Sequence, residues 1–360
     1  GESTGGSSAV TGANGIANRA AAVRPAARRL RFTVHLPSHT HCKTWCDHDW
    51  FPWLATCPPS GDTETNMPEL PEVHALAEVI AAQFTGQWLA RAELGSLSAL
   101  KTYDPPLSVL AEATLVGTDR RGKFLVLELV DADGEPVCLV VHLSRAGWIH
   151  WRTGTKLAPL RPGKSPVAMR LTWRADDDTT TVLDITEAGT QKHLAIYLVR
   201  DLADVPGIGQ LGPDALSLSQ EDFAAILAGQ GKRHVKTVLR EQSVVSGIGN
   251  AYSDEILHAA RLSPYAPAGV LSAQEVTALH SAMGEILTAA IERTTQAGIG
   301  QIKSEKRAGL RVHNRTGEPC DVCGTLIAQV RLADSSFQYC PGCQTGGKPL
   351  ADRRMSRLLK

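Results

Sequence analysis

No apolar run in the 360 residues approaches the roughly eighteen that a membrane-spanning helix requires, so nothing in the sequence reads as crossing a membrane. Net charge is missing as well: 37 Lys and Arg balance 37 Asp and Glu, which argues against a protein coated all over by polyanion. A disulfide framework is also lacking. The cysteines are Cys42, Cys46, Cys57, Cys138, Cys320, Cys323, Cys340 and Cys343, distributed as one metal site plus strays, and this points to a reducing, cytoplasmic setting. At this length the chain should hold two or three domains with real cores.

The overall balance hides local asymmetry. From Gln301 to Lys360 there are 11 Lys and Arg against 5 Asp and Glu, a difference of +6, and Lys232, Arg233, Lys236 and Arg240 form a second basic cluster. Clustered positive charge in a neutral protein fits an oriented polyanion-binding face, although a solvated charged surface fits the counts equally well.

Residues 1–66 sustain neither helical nor strand periodicity. Gly, Ser, Ala and Arg dominate the first thirty, followed by His39, His41, Cys42, Cys46 and His48 among Trp45, Trp50 and Trp53. An Arg-rich targeting segment, a small metal site and a disordered or spurious leader are the three readings. The third is favoured, because Met67 stands where a useful start would be.

Beyond Met67 the pattern is regular. Val73, Leu76, Ile80 and Phe84 recur at helical spacing before Gly86. Strand-like runs follow at Phe124–Leu129, Val137–Leu143, Val167–Trp173, Thr181–Ile185 and Leu194–Val199, so this half reads as one helix plus a β-sandwich or barrel. The Pro/Gly-rich stretch Val205–Pro213 marks a linker. Helices are then expected after Ser219, over His234–Gln242 and Ala251–Arg261, and after Ser272 with Glu275, where Val276, Leu279, Met283, Ile286 and Ala290 form the apolar stripe. The organisation is an α+β multidomain one: a leader over 1–66, a β-sandwich domain over 67–204, a helical domain over 205–300, a metal finger over 301–344 and a basic tail over 345–360.

Four motifs carry chemistry. Cys320-x2-Cys323-x16-Cys340-x2-Cys343 matches a closed four-thiolate zinc site, structural because it leaves no position open for water. Gly247-Ile248-Gly249-Asn250 lies between two helices, where amides at a helix start bind phosphate and Asn250 adds a donor; an ordinary turn reads equally well. Arg121-Gly122-Lys123 leads into a strand and holds a lysine on a rigid edge, as acid, base or phosphate contact, or as a plain charged strand entry. Met67-Pro68-Glu69-Leu70-Pro71-Glu72 reads locally as a helix start. Were the chain to begin at Pro68, however, its nitrogen would be a free secondary amine able to attack a sugar C1′, with Glu69 beside it for proton transfer.

In this order and at these distances, the four motifs resemble the formamidopyrimidine-DNA glycosylase / endonuclease VIII family from Met67 to about Gln344. The resemblance implies an N-terminal β-sandwich with flanking helices, a helix–two-turn–helix domain and a C-terminal zinc finger hairpin, with damaged double-stranded DNA in the cleft and one structural zinc. It implies a monomeric enzyme of base excision repair acting as DNA glycosylase and abasic-site lyase on oxidised or ring-opened bases. Pro68 would form the Schiff base, Glu69 would protonate the opening sugar and Lys123 would assist. Asn250, Lys236, Arg240 and Arg145 would meet DNA, and Cys320, Cys323, Cys340 and Cys343 would hold zinc. The alternative is a non-catalytic damaged-DNA-binding protein that keeps the fold.

The chain departs from the family in four places. Ser335 stands where the finger carries a phosphate-gripping arginine, which removes a bidentate contact and the support for δ-elimination. Arg145 replaces a void-filling methionine, Glu187–Lys192 replaces a void-filling Arg-Arg-Phe element, and the basic tail Thr345–Lys360 is additional.

Overall fold

A computed structural model describes residues 67–351 apart from 155–159, 164, 176–178, 189–190 and 333–334. The leader over 1–66 and most of the basic tail lie outside the described residues. Helix α1 (Leu70–Phe84) is followed by eight strands: β1 (Trp88–Leu94), β2 (Thr114–Arg121), β3 (Phe124–Val130), β4 (Pro136–His142), β5 (Gly147–Thr153), β6 (Val167–Arg174), β7 (Thr180–Glu187) and β8 (Ala195–Val199). They pair antiparallel in the order β5-β7-β6-β1-β2-β3-β4-β8. Between β1 and β2 the ladder is reduced to the pair Trp88–Thr114. At that weak seam the sheet divides into two four-stranded halves, which close as a β-sandwich over a shared core. Leu89, Leu125, Leu139, Trp173, Ile185 and Leu198 meet α1's Leu76, Ile80 and Phe84 there.

The expected linker does more than connect. Val205 and Ile208 pack with Val126, Val140 and Val199 on the other face of β3, β4 and β8. Helices α2 (Gln220–Ala228), α3 (Val235–Arg240), α4 (Asn250–Ala259) and α5 (Ala273–Gln296) follow. Ser219 caps α2 by accepting from the Asp222 N–H, and Ser272 with Glu275 forms a complete capping box on α5. Of the anticipated stripe on α5, Val276, Leu279, Met283 and Ala290 are buried, and Ile286 is partly so. A short helix not anticipated from the sequence, α6 (Ile302–Gly309), leads to the finger, a hairpin of β9 (Ala328–Arg331) and β10 (Ser336–Tyr339) followed by one turn, α7 (Pro341–Gln344). No helix among the described residues is long and apolar enough to cross a membrane.

Candidate active site and nucleic-acid interface

Three elements converge on the start of α1. Glu69 is its N-cap residue, and the Glu69 N–H donates to Glu72 Oε2 at 2.8 Å, closing a capping box. The Glu69 side chain, however, turns to another helix. Its Oε2 accepts from the Gly249 N–H at 2.6 Å and Oε1 from the Ala251 N–H at 2.9 Å, with the Tyr252 N–H at 3.4 Å, so the carboxylate occupies the positive N-terminus of α4. Of the two readings of Gly247-Ile248-Gly249-Asn250, phosphate-binding amides or an ordinary turn, the Gly249, Ala251 and Tyr252 amides follow neither, since they hold an internal anion. It also explains the glycines. A Cβ on Gly249 would stand 2.4 Å from Glu69 Cδ, and one on Gly247 would stand 2.4 Å from Leu70 Cδ1.

Burial pushes the Glu69 pKa up. Lys306, Lys123, the Ala251 N–H and His313 outweigh it and hold the carboxyl below its ordinary value, so it is ionised at neutral pH. Glu72, also buried, accepts from the Tyr252 hydroxyl at 2.6 Å and from Lys306 at 2.9 Å. Burial, with Glu72 and Glu69 adding to it, raises the Tyr252 pKa far above the usual phenol range, so the phenol stays a donor.

Lys123 arrives from the sandwich. Gly122, at φ +55°, takes the first central position of the two-residue turn joining β2 and β3, where a II′ turn needs a glycine. Arg120 fixes that hairpin to the helical domain through two bonds to Asp214, at 2.6 and 3.1 Å. Desolvation lowers the Lys123 pKa to about 8, with Lys306 and Arg240 reinforcing it and Glu69 opposing it. Beside it, burial and Lys123 together depress the His142 pKa to about 4, and the ring stays neutral, 4.7 Å from the Phe124 ring.

The expected DNA contacts separate. Asn250 opens α4 and its amide donates to the Ser336 carbonyl at 2.7 Å, which brings it next to the finger position held by Ser335. Arg240 ends α3 half-buried in a pocket of about 340 Å³ with His234, Thr237, Tyr265 and Phe337, and Arg145 is exposed on the turn between β4 and β5. Lys236 is not where a phosphate contact should be. Its ammonium is buried and donates to Asp254 Oδ1 at 2.6 Å, Ser253 Oγ at 2.7 Å and the Asn250 carbonyl at 3.3 Å, which uses all three of its donors. Lys236 therefore belongs to the support beneath Asn250. Asp254 is the centre of that support, accepting also from His313 Nδ1 at 2.7 Å and the Gln338 N–H at 3.1 Å. Replacing Asp254 by Ala would leave the Lys236 charge buried and unpaired, at a cost of about 3–5 kcal/mol. Urea unfolding of Asp254→Ala against the parent chain measures it.

The finger's sulfurs are close-set, with Cys323 Sγ 3.3 Å from Cys340 Sγ and Cys320 Sγ 3.9 Å from Cys343 Sγ. Tetrahedral zinc with bonds of about 2.3 Å puts its sulfurs roughly 3.8 Å apart, and the ligand atoms of Cys320, Cys340, Cys343 and His258 lie within 4.8 Å of one another, a spacing that fits the ion. Whereas the expected ligand Cys323 is exposed and lies outside that set, near Cys340, His258 on α4 lies 3.3 Å from Cys320 Sγ and is its fourth member. Sequence spacing alone could not reveal it, since it is contributed by another domain. Lys306 was equally hidden, as one charge in a basic count.

Comparisons with known proteins agree with this geometry. Residues 67–190 match the family model described as formamidopyrimidine-DNA glycosylase N-terminal domain, 211–301 the formamidopyrimidine-DNA glycosylase H2TH domain, and 317–346 a zinc finger found in FPG and IleRS. A formamidopyrimidine-DNA glycosylase of Moorella thermoacetica is 35% identical over 274 residues, which are 74% of this chain and 95% of that one. An uncharacterized formamidopyrimidine-DNA glycosylase-like protein of Mycobacterium tuberculosis is 58% identical over 159 residues, 44% of this chain and all of that one. Among solved structures, Lactococcus lactis Fpg in complex with abasic-site DNA superposes with a TM-score of 0.65 at 25% identity, covering 77% of this chain and all of that one. The finger match and the cluster of three cysteines with His258 together assign one structural zinc to this chain.

Proposed function

The chain belongs to the formamidopyrimidine-DNA glycosylase family, and from that premise we propose that it is a DNA glycosylase of base excision repair that also cleaves abasic sites, through Pro68 as an N-terminal amine. The observation that carries the reading is Glu69, buried, ionised and held against α4 beside Pro68.

In the form that begins at Pro68, the nitrogen lone pair attacks C1′ of the flipped nucleotide and the C1′–base bond breaks, its electron pair leaving with the base, which takes up a proton. The attacking nitrogen now carries one proton too many. Glu69, resting as a carboxylate, accepts it and passes it to O4′ as the sugar ring opens, leaving an iminium between the nitrogen and C1′. The iminium acidifies C2′–H. Loss of that proton expels the 3′ phosphate and cuts the strand. Lys123, with a pKa of about 8 and coupled to Glu69, balances the carboxylate's charge and loses its own proton just above neutrality. Asn250, Arg240 and Arg145 are the proposed phosphate and duplex contacts, Lys236 acting beneath Asn250. The enzyme works as a monomer on damaged double-stranded DNA in the cytoplasm, at the nucleoid. Oxidised or ring-opened bases are its proposed substrates, and the domain limits are proposed as 67–204, 205–300 and 301–344.

The alternative of a non-catalytic damaged-DNA-binding protein is not retained: relatives that cover 74% and 77% of this chain are named as glycosylases, and Pro68, Glu69 and Lys123 are all present. Borohydride added to a mixture of abasic-site DNA and the form beginning at Pro68 should give a covalent adduct. The form with Met67 and residues before it still attached, whose Pro68 nitrogen is an amide, should give none. An adduct from both forms alike would show that the nucleophile is elsewhere.

A further inference from the structure

Lys306, on α6, has a position that neither its charge nor its helix accounts for. Its side chain is buried. The ammonium donates to the Met67 carbonyl at 2.8 Å and to Glu72 Oε2 at 2.9 Å, lies 3.8 Å from Glu69 Oε1 and sits 5.1 Å from the centre of the Tyr252 ring. The Met67 carbonyl is the acyl group of the Pro68 nitrogen. A carbonyl oxygen lies about 2.3 Å from the nitrogen of its own peptide, so the ammonium is within roughly 5 Å of Pro68 N. When Met67 is removed, that carbonyl goes with it. The ammonium loses one acceptor and keeps Glu72 at 2.9 Å and Glu69 at 3.8 Å, with the Pro68 amine roughly 5 Å away.

We infer that Lys306 is a positioning residue for the nucleophile: its fixed cation keeps the Pro68 amine unprotonated, hence reactive, near neutral pH. The inference rests on the reading of Pro68 as an N-terminal amine. The charges around that nitrogen explain why a cation is needed. Glu69 from the chain itself and Glu72 from α1 both favour the protonated amine, as two buried anions would, and a protonated amine has no lone pair to attack with. Tyr252 from α4 is neutral, and His142 behind Lys123 is neutral. Lys123 from the β2–β3 turn bears on Glu69 directly, as does His313, and Arg240 from α3 bears on Lys123. Lys306 is the cation in contact with both the Glu72 carboxylate and the proline's acyl group. Lys303, one residue after Ile302 on the same helix, is turned away over the Trp148 ring at 4.4 Å.

The test is the pH profile of borohydride trapping on preformed abasic-site DNA, with the full chain from Pro68 to Lys360. In Lys306→Met the acid limb should move up by about 1–2 pH units, the size expected for removing one charge at this distance in a partly screened site. Lys306→Arg, which keeps the charge, should leave the limb in place. Glu72→Gln, which removes an anion, should move it down. A purely structural ion pair would lower the amplitude of trapping in both Lys306→Met and Glu72→Gln without moving either limb in opposite directions, and that result would overturn the inference. No adduct from the parent chain at any pH would instead overturn the reading of Pro68 on which it rests.

Discussion

Glu69→Gln should reduce base excision by about 10²- to 10⁴-fold, the range that a positioned proton-transfer group contributes, while leaving the chain folded. The residue has two duties in the structure, and the amide keeps only one. Its carboxylate takes N–H donors from Gly249 and Ala251 at the head of α4, and as an ionised group it can hold and move a proton next to Pro68. A glutamine oxygen still accepts one of those backbone bonds. Its NH2 group then faces a donor where an acceptor stood, and one buried amide hydrogen goes unpaired at a cost of about 1–3 kcal/mol. A cost of that size lowers stability without abolishing the fold. Single-turnover excision of a formamidopyrimidine lesion, measured beside urea unfolding of the same protein, separates the two losses. Stability lowered by that amount with excision unchanged would remove Glu69 from the chemistry. Strand cleavage at a preformed abasic site should fall as well, because opening the sugar ring needs the same proton transfer.

How far the fold was legible depends on how continuous each element's apolar signal is. The strands found from sequence, such as Phe124–Val130 and Pro136–His142, carry near-continuous Val and Leu, since one side faces the sandwich core and the other lies partly under the linker. Those missed are interrupted. β1 has a bulge between Leu89 and Arg91, β2 has one between Leu115 and Gly117 and ends in Thr118-Asp119-Arg120-Arg121, and β5 places exposed His150 and Arg152 at the sheet's edge. Helix α6 escaped because it is nearly all polar and buries only Ile302 and Lys306. A lysine drawn inward by two carboxylates of another domain leaves no periodic trace. The same limit governs the site. The motifs were visible as strings, but their assignment to partners was not: Gly249 makes room for Glu69, 180 residues away, Gly247 makes room for Leu70, and Lys236 serves Asp254 before it can serve any phosphate. Long-range pairing of buried charges is decided by topology, which local composition does not encode.

Stripping the zinc, or replacing Cys340 by Ser, should unfold the finger and weaken binding to abasic-site DNA by more than about tenfold, while the sandwich stays folded. The finger has almost no core of its own. Val312, Ile327, Cys320 and Cys340 make up the buried cluster at the sulfurs, two of the four being cysteines, and Val330, Phe337 and Tyr339 make a second small one on the hairpin. Zinc in such small folds supplies on the order of 10–16 kcal/mol of apparent binding energy, more than two such small clusters can replace. The loss should spread along two hydrogen bonds to α4: Ser336 gives Asn250 its acceptor, and the Gln338 N–H is one of the donors on Asp254. Glu69 is anchored by the start of α4 instead, and the core around α1 takes only Ile302 of α6 from the residues past 300, so these should survive. Zinc content by mass spectrometry, near-ultraviolet dichroism and DNA affinity at one fixed salt concentration follow the three consequences. His258 adds a control: if four thiolates complete the tetrahedron, His258→Ala keeps one zinc per chain, whereas a zinc content that falls as far as in Cys340→Ser makes His258 a ligand and Cys323, the exposed cysteine of the set, the spare.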